Sequence, residues 1–160
     1  MVDTEQVRER MTALGPMIDE LEYVGQEEDG KHWVLELEDG ASFVVHLDDV
    51  AQKLTFSTDI GVPSEAARAA AYEKLLVYNR LWPNTGGVRM SLDEPSGSVQ
   101  MSYQLFRLGL DDTELISLLT DLIAKAKAWR SVIEGLDTGL DSGGGDPADD
   151  PTLAGPAMRV

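Results

Sequence analysis

The sequence predicts an α+β fold, a twisted antiparallel sheet of about five strands with three helices in the order αβββαββα. Five short runs alternate apolar and polar residues, which is typical of strands with one buried face. Three longer segments repeat apolar residues every three or four positions, which is typical of amphipathic helices. The chain has 160 residues, of which 42% are hydrophobic, so it is long enough to bury one core. We therefore expect a single domain over residues 1–136.

The first predicted helix lies near the N-terminus, with Asp3 or Thr4 as its N-cap. Its apolar residues recur at i, i+4 and i+7, and so share one face: Val7, Met11 and Leu14. The helix should end before Pro16, because the residue that precedes a proline avoids the helical region. Ile18 and Leu21 continue the same spacing, which leaves a bent or resumed helix open.

Three strand-like runs follow. The apolar residues expected on their buried face are Trp33, Leu35 and Leu37, then Phe43, Val45 and Leu47, then Leu54, Phe56 and Ile60. Asp39-Gly40 lies between the first two runs and is a hairpin signal, because glycine readily adopts the positive φ that such a turn requires. The short connections predict an antiparallel meander.

The second helix is expected from about Ser64 to Leu81, and its apolar surface is unusually wide. One stripe contains Ala67, Ala71, Leu75, Tyr78 and Trp82, and a second set contains Leu76, Val77 and Leu81. A helix that is apolar over more than one face needs two surfaces to pack against. The sheet supplies one, and we expect a second copy of the chain to supply the other. The predicted dimer contacts are Leu76, Leu81 and, from the following strand, Met90.

A second hairpin and a last helix complete the predicted domain. The hairpin alternates apolar residues at Val88, Met90 and Leu92, then at Val99, Met101, Tyr103 and Leu105. Asp111 and Glu114 form a capping box at the start of the helix. Its apolar stripe is Leu115, Leu118, Leu119, Leu122, Ile123, Ala126, Trp129 and Ile133. Residues 137–160 are rich in Gly, Pro and Asp, with five aspartates against one arginine, and predict a disordered acidic tail.

The charge balance restricts the classes of partner. Thirteen Lys and Arg face 29 Asp and Glu, which gives a net charge of −16. A field of this sign repels nucleic acids and anionic membrane surfaces, so we expect neither as a partner. The absence of cysteine excludes disulfides and thiolate metal sites. The polar, acidic N-terminus is unlike a signal peptide, so we expect a cytoplasmic protein.

The sequence predicts neither an enzyme activity nor a cofactor. It contains no HExxH motif, glycine-rich phosphate loop or GxSxG elbow. His32 and His46 fall on the polar faces of neighbouring predicted strands, and Glu36 or Asp48 could complete a metal site with them. Two solvent-facing histidines are the simpler interpretation. A small metal-dependent enzyme that uses His32 and His46 therefore remains an alternative.

Apolar residues on faces that should meet water favour protein binding instead. Val34 and Val44 lie on the polar faces of neighbouring strands. Contiguous exposed apolar residues mark interaction sites, whereas scattered ones are ordinary. The pair therefore predicts a binding surface on the sheet.

The αβββαββα order, the acidic charge, the small size and the final amphipathic helix resemble the class I type III secretion chaperones, the Tir-chaperone family, and the local resemblance is best from Leu75 onward. The resemblance rests on the run Leu75-Leu76-Val77-Tyr78-Asn79 at the end of the second helix, and on Gly87 and the strand after it. It continues through the next strand and through the closing helix to Trp129-Arg130. A fold of the secretion-chaperone type over roughly Asp3 to Leu136 is the expectation that follows.

The resemblance implies a homodimer that binds an extended segment of a secreted effector without nucleotide. The candidate partner-binding residues are Val7, Met11, Leu14, Val34, Val44 and Phe56. Core packing is the favoured interpretation for Leu14 and Phe56. Because other proteins share this fold, such as the YbjN-like proteins, a regulatory or assembly role outside secretion is an alternative.

Overall fold

The computed structural model describes residues 4–94, 96–106, 109 and 111–139. Three α-helices and six strands lie within these ranges. The helices are α1 (Thr4–Leu14), α2 (Arg68–Arg80) and α3 (Asp112–Asp137), and a 3-10 turn (Gly15–Met17) follows α1. The strands are β1 (Leu21–Gln26), β2 (His32–Leu37), β3 (Ser42–Asp48), β4 (Lys53–Gly61), β5 (Arg89–Asp93) and β6 (Ser98–Leu105).

The strands form one antiparallel sheet in the order β1-β2-β3-β4-β6-β5, which confirms the predicted α+β class. The expected number of about five strands was wrong by one, because Leu21–Gln26 forms β1 and not a resumed helix. Two features hide this strand from the alternation rule. Its pairing with β2 is irregular between Leu21 and Tyr23, and Leu21 is its only buried residue.

The chain forms two compact units. The first contains the described residues of Met1–Thr58 and Tyr103–Thr120, and the second contains those of Asp59–Ser102 and Asp121–Val160. Three elements, β4, β6 and α3, therefore contribute residues to both units.

In the first unit, α1 and one face of the strands supply the core. Helix α1 buries all three residues that share its predicted apolar face, Val7, Met11 and Leu14. The inward residues of β2 and β3 are buried as the alternation predicted: Trp33, Leu35, Leu37, Phe43, Val45 and Leu47. The helix ends at Leu14, ahead of Pro16 in the 3-10 turn, as expected. The N-cap prediction at Asp3 lies outside the described residues.

In the second unit, the side chain of Asn79 holds edge strand β5 against α2. Its amide nitrogen donates to the carbonyl oxygen of Met90 at 2.8 Å, and the Met90 amide donates to its carbonyl oxygen, also at 2.8 Å. The two bonds satisfy both backbone groups of one β5 residue, as a further strand would. This contact gives a physical role to the asparagine that ends the Leu75–Asn79 run.

Helix α2 is shorter than predicted, because Ser64 belongs to a turn and not to the helix. Its hydroxyl and carbonyl oxygens both accept from the Ala67 amide, at 3.2 and 3.1 Å. Within the core of this unit, the ring of Tyr78 meets that of Trp129 edge-on, with centroids 5.0 Å apart. Burial raises the pKa of the Tyr78 hydroxyl to about 12.

Helix α3 begins with the predicted capping box. The Glu114 amide donates to Asp111 Oδ1 at 2.8 Å, and the Asp111 amide donates to Glu114 Oε2 at 3.0 Å. All of the predicted stripe is buried except Leu118, which is half-buried. Lys125 is fully buried too, and its ammonium group pairs with the Asp121 carboxylate. The helix runs to Asp137, and the remainder of the predicted tail, from residue 140 onward, lies outside the described residues.

The Asn79 contact leads to a stability prediction. Asn79→Ala leaves the Met90 amide and carbonyl without these partners, so we expect the free energy of unfolding to fall by about 1–3 kcal/mol. Urea unfolding followed by circular dichroism measures this loss. Asn84→Ala is the matched control, because Asn84 is an exposed residue of the turn after α2. Equal unfolding midpoints for the two variants would contradict the assigned role of Asn79.

Candidate functional site

The register of the first three strands brings apolar residues together on the outer face of the sheet, opposite the core. Gly25 pairs with Val34, Val34 pairs with Val44, and Val44 pairs with Ser57 on β4. Val44 is 42% exposed and Val34 is half-buried. Directly paired residues have Cβ atoms about 4.5–5.5 Å apart, so the two valines form a continuous apolar surface.

An aromatic ring extends this surface over β1. Tyr23 is 54% exposed, and a Cβ atom added to Gly25 would collide with its ring and hydroxyl. The phenol ring therefore lies over Gly25 and occupies the place of the missing side chain. Gly25 in turn pairs with Val34, so the ring stands beside the apolar row. Neither Tyr23 nor Gly25 could be assigned to the site from the sequence, because β1 itself was not predicted.

Two stacked histidines border the valines. His32 pairs with His46 across β2 and β3, and their ring centroids are 4.4 Å apart with the planes inclined by 14°. The Nδ1 atom of His32 lies 2.5 Å from Asp29 Oδ2. The two stacked rings therefore lie beside Val34 and Val44, and the Asp29 carboxylate holds the ring of His32 in place.

Asp29 orders the turn between β1 and β2. Its Oδ1 atom accepts from the Lys31 amide at 2.8 Å and from the His32 amide at 3.1 Å. The pKa of Asp29 lies below its usual range. The hydrogen bond from the Lys31 amide lowers it most, and the bond with the His32 side chain lowers it next. The carboxylate is thus committed to the turn and to His32.

A shallow depression of about 360 Å³ joins these features, and we name it the β2–β3 depression. It is lined by Glu27, Glu28, Asp29, His32, Val34 and Val44. Its floor contains the two valines, and its rim contains three acidic residues and a histidine. The nearby Lys31 does not neutralise this rim, because its ammonium group pairs with Asp49 at 3.0 Å and lowers the pKa of that carboxyl.

The structure separates the predicted partner-binding residues into two groups. Val34 and Val44 meet in the β2–β3 depression. The other four are buried in the core of the first unit: Val7, Met11, Leu14 and Phe56, with exposures of 5%, 0%, 2% and 1%. Core packing was already the favoured interpretation for Leu14 and Phe56. The alternation of an isolated helix does not reveal which face its neighbours cover, so Val7 and Met11 could not be placed from sequence.

The predicted dimer contacts also differ in exposure. Leu76 on α2 is 70% exposed, Leu81 is half-buried and Met90 is only 5% exposed. Two further residues of the same region of the chain are exposed, Val77 at 40% and Trp82 at 55%. Leu76, Val77 and Trp82 are therefore the exposed apolar residues on and directly after α2, and we name them the α2 surface.

The two histidines do not form part of a metal site within the described part of the chain. No group of three or more His, Asp or Glu side chains there is placed to hold an ion. Nδ1 of His32 is engaged with Asp29, and Glu36 pairs across the strands with Ser42, not with a histidine. The described helices also include none long and apolar enough to span a bilayer.

Known structures have the same fold. The chain superposes on the structure of the ExsC–ExsE complex with a TM-score of 0.67 and 20% identity, which covers 83% of this chain and 97% of that one. It superposes on the structure of the HopA1–SchA chaperone–effector complex with a TM-score of 0.62 and 15% identity, which covers 82% of this chain and 99% of that one. No curated protein sequence matches the chain. The architecture is that of secretion chaperones.

The sequence itself identifies the family. The model of the Tir chaperone protein (CesT) family matches residues 26–130. The chain therefore belongs to this family, which confirms the resemblance seen in its sequence.

Proposed function

We propose that the chain is a type III secretion chaperone without enzyme activity, which binds an extended segment of an effector protein in the cytoplasm and keeps it soluble. The observation that carries this proposal is the β2–β3 depression, where Val34 and Val44 remain accessible on a sheet whose other face is buried. Family membership supports the same role. A shallow apolar surface on strands suits a segment without a fold of its own, because such a segment presents single side chains and its backbone.

The two edges of the sheet differ in a way that favours β1 as the docking edge. Edge strand β5 has both backbone groups of Met90 bonded to Asn79. Edge strand β1 lies next to the depression, since Gly25 pairs with Val34. An exposed strand edge offers backbone groups to an added strand. A partner segment alongside β1 would gain backbone hydrogen bonds there, next to the depression.

The acidity of the chain suits this role. A net charge of −16 keeps copies apart in solution while apolar surfaces stay open. The complex with a partner would keep this negative charge, and repulsion between complexes would oppose their aggregation. The proposal therefore explains both the exposed valines and the composition.

The depression is tested by placing a charge on its floor. We expect Val44→Asp to weaken retention of the partner at least about tenfold, because an apolar contact is lost and a carboxylate must be desolvated. The tagged chain is purified from its native cells, the bound proteins are lightly digested, and the protected segment is identified and quantified by mass spectrometry. A protected segment from a region without a folded domain is the expected result.

Val50→Asp is the matched control, because Val50 is 91% exposed and lies outside the depression. Circular dichroism shows whether both variants keep their fold. Equal retention by Val44→Asp and Val50→Asp, or no retained segment with the unaltered chain, would contradict the proposal. A retained partner that is never secreted would instead favour a regulatory or assembly role.

We further propose that the chain is a homodimer that uses the α2 surface. Leu76 is 70% exposed and Trp82 is 55% exposed, which is large for apolar residues of one short region. Fully burying such a side chain stabilises an interface by about 1.5–3 kcal/mol. Leu81 can add to the contact because it is half-buried, whereas Met90 has little surface left to contribute.

Leu76→Asp should convert the dimer to a monomer, since it removes an apolar contact and buries a charge. Light scattering coupled to size exclusion reads the mass, which should fall from twice 17.4 kDa to 17.4 kDa. Val62→Asp is the control, because Val62 is 54% exposed and lies outside α2. An unaltered chain that is monomeric, or a Leu76→Asp variant that stays dimeric, would show that the α2 surface is not the interface.

A further inference from the structure

We infer that the β2–β3 depression selects partner segments in which an aliphatic side chain and a lysine or arginine lie two residues apart. This inference rests on the proposed function and adds the chemistry of the partner. The aliphatic side chain would lie over Val34 and Val44, and the cationic group would pair with Glu27 and Glu28.

The floor of the depression accounts for the aliphatic residue. Val34 and Val44 are the residues of its lining without a polar side-chain atom. They are β-branched and paired across two strands, so their surface is broad and shallow. An aliphatic side chain of moderate size covers such a surface without needing a hydrogen-bonding partner. A polar side chain there would lose water and gain nothing in return.

The rim accounts for the cation. Glu27 and Glu28 are exposed, and no described residue provides a cationic partner for either. Asp29 is already bonded to the turn and to His32. Lys31 is held by Asp49. Two carboxylates are therefore available to a positive charge from outside the chain.

The same rim disfavours the chain's own C-terminal segment as the occupant. Residues 137–160 contain five aspartates and one arginine. Like charges repel across an interface and complementary ones steer encounter, so this segment is a poor match for an acidic rim. A basic segment of another protein fits better.

The strand geometry sets the spacing of the two partner residues. Val34 and His32 lie on the same face of β2, two residues apart, which corresponds to about 6.6 Å along a strand. The Glu27 amide donates to the His32 carbonyl at 2.8 Å, so Glu27 lies level with His32. An extended segment that follows β2 presents residues i and i+2 on one side with the same separation. One of these two residues would therefore meet the valines and the other the glutamates, in an order set by the direction of the segment.

Synthetic peptides test this selection. Three fluorescein-labelled peptides of serine and glutamine would carry leucine and lysine two residues apart, leucine and glutamate two residues apart, or leucine and lysine adjacent. Fluorescence anisotropy measures their binding to the full chain. We expect the first peptide to bind at least about tenfold more tightly than the other two at low ionic strength. Its advantage should shrink in about 0.5 M salt, because exposed ion pairs are screened.

Substitutions in the rim test whether Glu27 and Glu28 cause the preference for the first peptide. Glu27→Gln together with Glu28→Gln should weaken binding of the first peptide about three- to tenfold and leave the leucine–glutamate peptide no weaker. Glu65→Gln together with Glu73→Gln is the matched control, since both are exposed glutamates outside the depression and the change in net charge is the same. A similar loss in both double variants would show that only the overall charge matters and would overturn the inference.

The remaining outcomes separate the inference from the proposed function. If all three peptides bind equally well and Val44→Asp weakens all three, the depression binds segments without charge selection and the inference is wrong. If none of the peptides binds at about 1 mM while the unaltered chain retains a segment from its native cells, the inference is wrong and the chaperone proposal stands. If neither peptides nor native segments bind, both are wrong.

Discussion

Every feature of the candidate site depends on the register between β2 and β3. That register pairs Val34 with Val44 and His32 with His46. A slip of one residue would move each side chain to the other face, so the valines would enter the core and Trp33 would face water. The buried inward set and the hairpin turn hold the register. In that turn Gly40 has a φ of 82° and its amide donates to the Leu37 carbonyl at 2.9 Å.

The alternation of apolar residues predicted most of this framework. It locates β2, β3 and β4, and it places Val34 and Val44 on the outer face of the sheet. It failed for β1, where an irregularity in pairing interrupts the period of two and a single residue is buried. Strands β2, β3 and β4 could thus be predicted because their buried face is regular.

The candidate site could be predicted only in part from the sequence, because the Tyr23 ring and the acidic turn owe their positions to contacts with other residues. The ring of Tyr23 reaches the apolar row only because Gly25 has no side chain, and β1 was needed to place both. The acidic turn gains its position from the hydrogen bonds of Asp29, which no spacing rule reveals. The side chain of Met90 is buried on the inner face of β5, and Asn79 binds its backbone, so both features follow from tertiary contacts. Periodicity predicts which residues share a face, but the tertiary contacts decide what covers it.

The central claim is that a partner segment docks at β1 and the β2–β3 depression. Hydrogen–deuterium exchange of the full chain, alone and bound to the segment retained from its native cells, tests this most directly. The account predicts slower exchange over residues 21–34, because added backbone hydrogen bonds protect an edge strand. It also predicts unchanged exchange in β5, where Asn79 already bonds both backbone groups of Met90. Protection confined to β5 or α2, with none in β1, would contradict the account.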